Sequence, residues 1–312
     1  MTRKSLTKIS KRIILASIII GLLSVHFIFP RFITEVRNPI LESFKTKKVI
    51  NTIPKKHQNP QFKRKKITIT TFDNLKLSAL LTYSNLADTK GTIILLHGSS
   101  NTKEHFHDLS EFLSLNGFNS VALDSRGFGE SEGQFTTFGA KETKDIQALI
   151  TELINVEDLD NIGLWGQSIG GAFTLQTMGL DKRVKYGIAE SSYTDLKTNI
   201  QHFFQRHLGF SINPLSNYIT NRAATIADFD PDEANPLKYS KEITQPILVV
   251  HGAQDLPIPI EEGKANFTNI KSKDKKFLKI ESAGHSDIWE IGGENYFNYV
   301  LEFLNKHALK TN

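Results

Sequence analysis

The stretch Gly166-Gln167-Ser168-Ile169-Gly170 constrains this chain more than any other, because the apolar run Ile162 to Trp165 stands before it and the helix-like run Gly171 to Leu180 after it. A strand that passes into a helix through so few residues has to turn sharply, and the apex of such a turn lifts the central side chain clear of the sheet. Glycines two residues to either side, Gly166 and Gly170, let backbone approach where a Cβ would clash. The Gly-x-Ser-x-Gly pattern alone is common; the strand before it and the helix after it give it content. The reading is a nucleophile elbow that presents the Ser168 hydroxyl.

A serine hydroxyl is a weak nucleophile at its free pKa, so a neutral imidazole has to accept its proton during attack on a carbonyl and return it to the leaving group. Two later segments supply the partners. The strand-like run Pro246 to Val250 ends in His251-Gly252-Ala253-Gln254-Asp255, and the run Phe277 to Ile280 is followed by Ser282-Ala283-Gly284-His285. Ser168, Asp255 and His285 stand in the chain order nucleophile, acid, histidine. Asp255 would fix the tautomer of His285 and stabilise its imidazolium. Glu190, at the end of the strand after the elbow, is the competing acid. An oxyanion formed at the carbonyl needs N–H donors already in position. The amide of Ile169 is one; Ser99, in His97-Gly98-Ser99-Ser100 after the run Thr92 to Leu96, is expected to give the other.

These segments, with Leu95-Leu96-His97-Gly98 and Asp124-Ser125-Arg126-Gly127-Phe128-Gly129-Glu130-Ser131, resemble a bacterial α/β-hydrolase of the membrane-anchored, short-lidded type related to the serine aminopeptidase and ABHD-like families. The resemblance runs from about Ile67 to Leu309. It implies an α/β fold with a mostly parallel eight-stranded sheet flanked by helices and a short helical lid, and neither a metal nor an organic cofactor.

The pattern along the chain agrees. Lys66 to Thr71 and Lys76 to Leu81 flank Asp73-Asn74 as an opening hairpin. Short apolar runs at Thr92 to Leu96, Ser120 to Leu123, Ile162 to Trp165, Tyr186 to Ala189, Ile247 to Val250 and Phe277 to Ile280 then alternate with helical stretches at His105 to Leu115, Ala140 to Ile154, Ile169 to Leu180 and Glu294 to Lys306, as a parallel sheet requires. With 312 residues, 39% of them hydrophobic, the chain can bury one substantial core. It has no cysteine, which excludes disulfides, thiolate metal sites and a cysteine nucleophile.

The net charge of +5 is unevenly distributed. Residues 1–66 hold 16 Lys and Arg against Glu35 and Glu42, and the remainder holds 22 basic and 31 acidic residues, a net of −9. The basic character therefore belongs to a leader, where attraction to anionic lipid is the simpler explanation, and nucleic-acid binding is set aside. That leader contains Ile13 to Phe29, 17 residues without a charge between Arg12 and Arg31. Such a run spans about 26 Å, and arginines at its ends can snorkel to match a bilayer core of roughly 30 Å. No small-x-small cleavage site follows, so an uncleaved anchor is favoured over a signal peptide. Five Lys or Arg precede the run and five fall within the twenty residues after it, a tie under the positive-inside rule. Export of the catalytic domain is expected from the form of the N-terminus.

The expected organisation is an anchor over 1–31, a basic connector over 32–65 broken by Pro39, Pro54 and Pro60, and a hydrolase domain over 66–312 with its lid at about 192–242. Within that lid Leu196, Ile200, Phe203, Phe204 and Leu208 recur at helical spacing, which serves either a helix covering the sheet or an acyl pocket. His97 stands beside the oxyanion loop; His105 and His107, two apart, do not face one another on a helix, so a metal pair there is set aside. His202 and His207 are read as lid surface residues, and Asp124 and Arg126 as braces of a turn. The expected activity is hydrolysis of a small, hydrophobic carboxylic ester or thioester through an acyl-enzyme, with membrane lipid as the other partner. A peptidase or amidase on the same triad is the alternative, and a non-catalytic scaffold a further one.

Overall fold

Ile93 and Leu95 face one side of their strand, Ile94 and Leu96 the other, and all four are completely buried. A strand covered on both faces belongs at the centre of a layered fold. The computed structural model describes residues 3–37, 53 and 61–308, with side chains from residue 10 and the Leu208 side chain apart. Its eight strands are β1 (Arg64–Thr70), β2 (Lys76–Thr82), β3 (Gly91–Leu96), β4 (Phe118–Leu123), β5 (Ile162–Gln167), β6 (Tyr186–Glu190), β7 (Ile247–Gly252) and β8 (Lys275–Ile280). They form one sheet in the order β1-β2-β4-β3-β5-β6-β7-β8. β2 runs antiparallel to β1 and β4, and every other neighbouring pair is parallel. The β1–β2 hairpin turns at Asn74, whose φ of 65° is a conformation that asparagine tolerates.

Among the described residues ten α-helices accompany the sheet. Two lie before it, α1 (Arg3–Leu23) and α2 (Phe29–Thr34), joined through the π-helical turn Ser24–Ile28. The others are α3 (His107–Leu115), α4 (Glu142–Asn155), α5 (Ile169–Leu180), α6 (Leu196–Leu208), α7 (Asn213–Ala227), α8 (Pro236–Ser240), α9 (Ile260–Asn269) and α10 (Ile288–His307). Helix α10 begins six residues before the helical run legible in the sequence and kinks at Gly293, at φ 50° and ψ −144°. One hydrophobic core unites Ile94, Leu96 and Leu164 with Leu149 of α4 and Phe173 of α5; the other unites Ile93, Leu95 and Trp165 with Leu109 of α3 and Phe297 of α10. Residues 169–178 of α5 are all buried, so the helix that follows the elbow is enclosed by the fold.

Ser10–Thr34 forms a helix of 25 residues with a mean hydropathy of 2.4, long and apolar enough to cross a membrane. Its far end is docked on the sheet domain. The buried Thr34 hydroxyl donates to the Thr136 carbonyl at 2.6 Å, the Thr136 amide donates to the Thr34 carbonyl, and Glu35 forms an antiparallel bridge with Phe135. The Val36 amide reaches the Gln134 carbonyl, and Arg37 donates to the carbonyls of Gly127 and Ser131. Residues 32–37, expected at the start of a connector, are thus docked on the sheet domain; Pro39, Pro54 and Pro60 lie outside the described residues.

Candidate active site

Ser168 sits between β5 and α5 at φ 55° and ψ −117°, a conformation that costs a non-glycine residue about 1–3 kcal/mol and persists only where its surroundings enforce it. The surroundings are backbone. A Cβ on Gly166 would come within 2.0 Å of the Gly170 carbonyl oxygen, and one on Gly170 within 2.1 Å of the Leu96 oxygen. The two glycines are therefore steric requirements of the turn. The Ser168 amide donates to the Glu190 carbonyl of β6 at 2.8 Å, which ties the apex to the neighbouring strand.

His285 is brought to Ser168 by the loop between β8 and α10. The Gln254 amide donates to the Ala283 carbonyl at 2.8 Å, joining this loop to the one that carries Asp255. His285 Nε2 lies 2.9 Å from Ser168 Oγ, and His285 Nδ1 lies 2.8 Å from Asp255 Oδ2. The Asp255 side chain is fully buried whereas that of His285 is 19% exposed, so the line runs from the interior outward to the serine. Burial works to raise the Asp255 pKa, but hydrogen bonds from His251 and His285, the charge of His285 and the Ile258 amide at 2.9 Å outweigh it and hold the carboxyl below its ordinary range. Asp255 is an anion facing the imidazole.

Ile169 opens α5, so its N–H is among the first four of the helix, which have no acceptor within it. The loop carrying Ser99 passes beside the serine, since a Cβ on Gly98 would stand 3.5 Å from Ser168 Cβ. Both Ser99 and Ile169 line the larger of two cavities that meet at Ser168 and His285. The smaller, about 110 Å³, is bounded by Asn101, His105, Gln167 and Trp289. The larger, about 460 Å³, is walled by Phe128, Phe138, Ile200, Phe203 and, from the N-terminal segment, Phe32 and Ile33.

The competing acid is committed elsewhere. Glu190 is buried and accepts from Trp165 Nε1 at 2.5 Å, Gln167 Nε2 at 2.9 Å, Trp289 Nε1 at 3.1 Å and the Tyr296 hydroxyl. Burial raises its pKa against the pull of those donors. His105, set aside in the sequence only as half of a metal pair, lines the smaller cavity, stacked on Trp289 and 2.8 Å from Gln167 Oε1, and burial lowers its pKa. His97 is buried, with Nδ1 2.8 Å from the Gly98 carbonyl and Nε2 accepting from the Ser125 amide. His202 pairs with Glu262 across 3.0 Å, and His207 is exposed. Asp124 holds Lys103, and Arg126 is clamped between Asp145 and Asp73, so both brace loops beneath the site. His107, Asp108 and Glu111 cluster on the outer face of α3, where Glu111 pairs with Arg64 and His107.

The sequence reading did not identify Phe32 and Ile33 as part of the site, nor Trp289 and Gln167. The one available signal was the apolar character of Phe27 to Ile33 continuing past Arg31, which a membrane span accounts for equally well.

A family model for serine aminopeptidases of the S33 type matches residues 87–228. The chain is 26% identical over 215 residues to an uncharacterized 31.7 kDa protein of Escherichia coli, covering 56% of this chain and 75% of that one. It is 29% identical over 201 residues to the α/β-hydrolase domain-containing protein WAV2 of Arabidopsis thaliana, covering 61% of each. An esterase of Pyrococcus furiosus matches 84% of this chain and 99% of its own length with a TM-score of 0.66 at 25% identity. The acylaminoacyl peptidase of Pyrococcus horikoshii shares the fold over 81% of this chain and 43% of its own, with a TM-score of 0.62 at 18% identity. The chain is a member of the α/β-hydrolase superfamily and an enzyme of hydrolase type.

Proposed function

We propose that the protein is a serine hydrolase that cleaves carboxylic esters or thioesters through an acyl-enzyme. The observation that carries this reading is the unbroken hydrogen-bonded line from Ser168 Oγ through His285 to the buried Asp255 anion. In the first half-reaction His285 takes the Ser168 proton as Oγ attacks the carbonyl carbon. The amides of Ile169 and Ser99 receive the oxyanion, and His285 returns the proton to the departing alcohol or thiol. Water, deprotonated by the same imidazole, then releases the acid and restores the serine.

The two cavities suit the two halves of an ester: the larger, aromatic-lined one for the acyl group and the smaller one, where Asn101, His105 and Gln167 stand, for the leaving group. An aminopeptidase would need a free carboxylate to receive a substrate ammonium. Of the carboxylates that line the cavities, Glu35 already faces Arg31 and Gln134, and Glu190 is surrounded by donors. That favours esters over peptides.

The N-terminal helix is read as an uncleaved membrane anchor with the catalytic domain on the outer side. Protease added to intact spheroplasts tests the orientation: digestion of the domain supports it, and protection until lysis overturns it. The ester reading is tested by turnover of p-nitrophenyl acetate and by labelling with a fluorophosphonate, both expected for the full chain. Failure of both would remove it.

A further inference from the structure

We propose that the ester reaching Ser168 belongs to a membrane lipid, whose acyl chain passes from the bilayer into the cleft between α2 and α6 so that the end of the anchor helix is a wall of the substrate site. This rests on the ester reading above and deepens it.

The depth of the lid is fixed by its contacts with the apolar helix. Leu215 and Tyr218 of α7 share an apolar groove of about 620 Å³ with Ile19, Leu22, Leu23 and Phe27, and the Tyr218 hydroxyl hydrogen-bonds His26 at 2.5 Å. Ile19 lies ten residues before Phe29, the end of the uncharged run, which is about 15 Å along a helix. If Ile13 to Phe29 occupies the hydrocarbon, the start of α7 dips into the same layer. Its neighbours have the surface for it: Phe210 is 53% exposed, Ile212 49% and Tyr218 45%. Large apolar or amphipathic side chains exposed in and just before a helix that packs on a spanning helix are costly in water and favourable in a bilayer.

The cleft begins where that layer ends. Phe29 packs on Phe204 at a ring separation of 5.9 Å and Phe32 on Phe203 at 6.5 Å, so α2 and α6 stand side by side. Ile33, four residues past Phe29, is about 6 Å further along the helix, within the headgroup zone of roughly 5–8 Å on each side of the core. Phe32, Ile33, Ile200 and Phe203 line the same cavity as Ser168 and His285. A lipid ester at headgroup depth thus meets an apolar wall continuous with the anchor and need not leave the membrane to be cleaved.

The test uses the full chain in phosphatidylcholine vesicles, with p-nitrophenyl laurate and p-nitrophenyl acetate as probes. Ile33→Trp, which fills the cleft, should lower the ratio of laurate to acetate kcat/KM by about tenfold. Phe203→Ala, which widens it, should raise that ratio. A Phe210→Trp variant should be quenched by brominated phosphatidylcholine, since the native Trp165 and Trp289 are buried in the core. Acetate turnover with a laurate ratio indifferent to both substitutions, or a Phe210→Trp signal untouched by the brominated lipid, overturns the lipid route while leaving the ester reading standing. A wild-type chain that hydrolyses neither probe takes down both.

Discussion

Two parts of this site are built by opposite means. Ser168, Ile169 and the glycines around them are held by a turn of five residues, in which the tightest contacts are with backbone atoms that a Cβ would strike. The wall facing them is assembled from Phe32, Phe128, Phe138, Ile200 and Phe203, which come from well-separated segments and meet only through tertiary packing. The first arrangement tolerates almost no change of shape. On the ester reading proposed above, the first carries the reaction and the second selects the acyl group, from segments outside the elbow. Chemistry and selectivity should therefore separate under mutation.

The largest expected effect lies on the elbow side. Ser168→Ala should lower kcat on p-nitrophenyl acetate by about a millionfold, because removing a nucleophile that works as a unit with its base disables the whole unit. Fluorophosphonate labelling should vanish with it; a labelled Ser168→Ala protein would relocate the nucleophile. Next comes Asp255→Asn, expected to cost about ten-thousandfold in kcat by turning the Asp255 carboxylate into an amide that presents the wrong partner to His285 Nδ1. Near-normal turnover in a folded Asp255→Asn protein would mean that the 2.8 Å contact to His285 carries no function.

The same contrast explains what the sequence revealed. The strands, the hairpin and the elbow were legible because each is encoded locally, by an apolar run, a turn residue or a glycine spacing. Even so, β5 and β7 extend past their apolar runs, to Gln167 and Gly252, because pairing with neighbouring strands holds polar or small residues in the sheet. Ser168, Asp255 and His285 could be read from their places just after strand-like runs and from their order, although that order admits Glu190 as well. The cleft wall could not: the Glu35–Phe135 bridge joins residues a hundred positions apart, and nothing local in Phe32 or Ile33 distinguishes a cleft-lining side chain from a lipid-facing one. Glu190 was ambiguous for the same reason, since the Trp289 and Tyr296 groups that occupy it arrive from α10 at the other end of the chain.

Glu190 tests whether the support of the elbow is as rigid as the elbow itself. Glu190→Gln replaces an acceptor surrounded by donors with a group whose amide N–H₂ has to face one of them. Its expected cost in stability is about 2 kcal/mol. The pH dependence has a definite sign. Burial raises this carboxyl above its ordinary value of 4.5, so the folded protein binds the proton more tightly than the unfolded chain. That contribution is whole below 4.5 and is lost as pH rises through the folded value. The wild type should therefore lose stability relative to Glu190→Gln as pH rises from 4.5, since glutamine cannot ionise. Parallel stability curves in urea across that range would show that Glu190 does not titrate on unfolding.

The smallest expected effect lies on the wall side, at Thr34. Its hydroxyl donates to the Thr136 carbonyl in a buried contact, while the amide of Thr136 independently holds the Thr34 carbonyl. Thr34→Val keeps the shape and the backbone bond but leaves the Thr136 oxygen without its side-chain donor. The cost should be about 1 kcal/mol. For a domain of this size that corresponds to a fall in Tm of about 2–4 °C in the detergent-solubilised full chain. The elbow should not register it, so fluorophosphonate labelling of Ser168 should proceed at the wild-type rate. An unchanged Tm would mean that the anchor end rests against the domain without contributing to its stability. A Tm that falls together with a large loss of labelling would mean that the wall and the elbow are one cooperative unit, and the separation of selectivity from chemistry would fail at its most sensitive point.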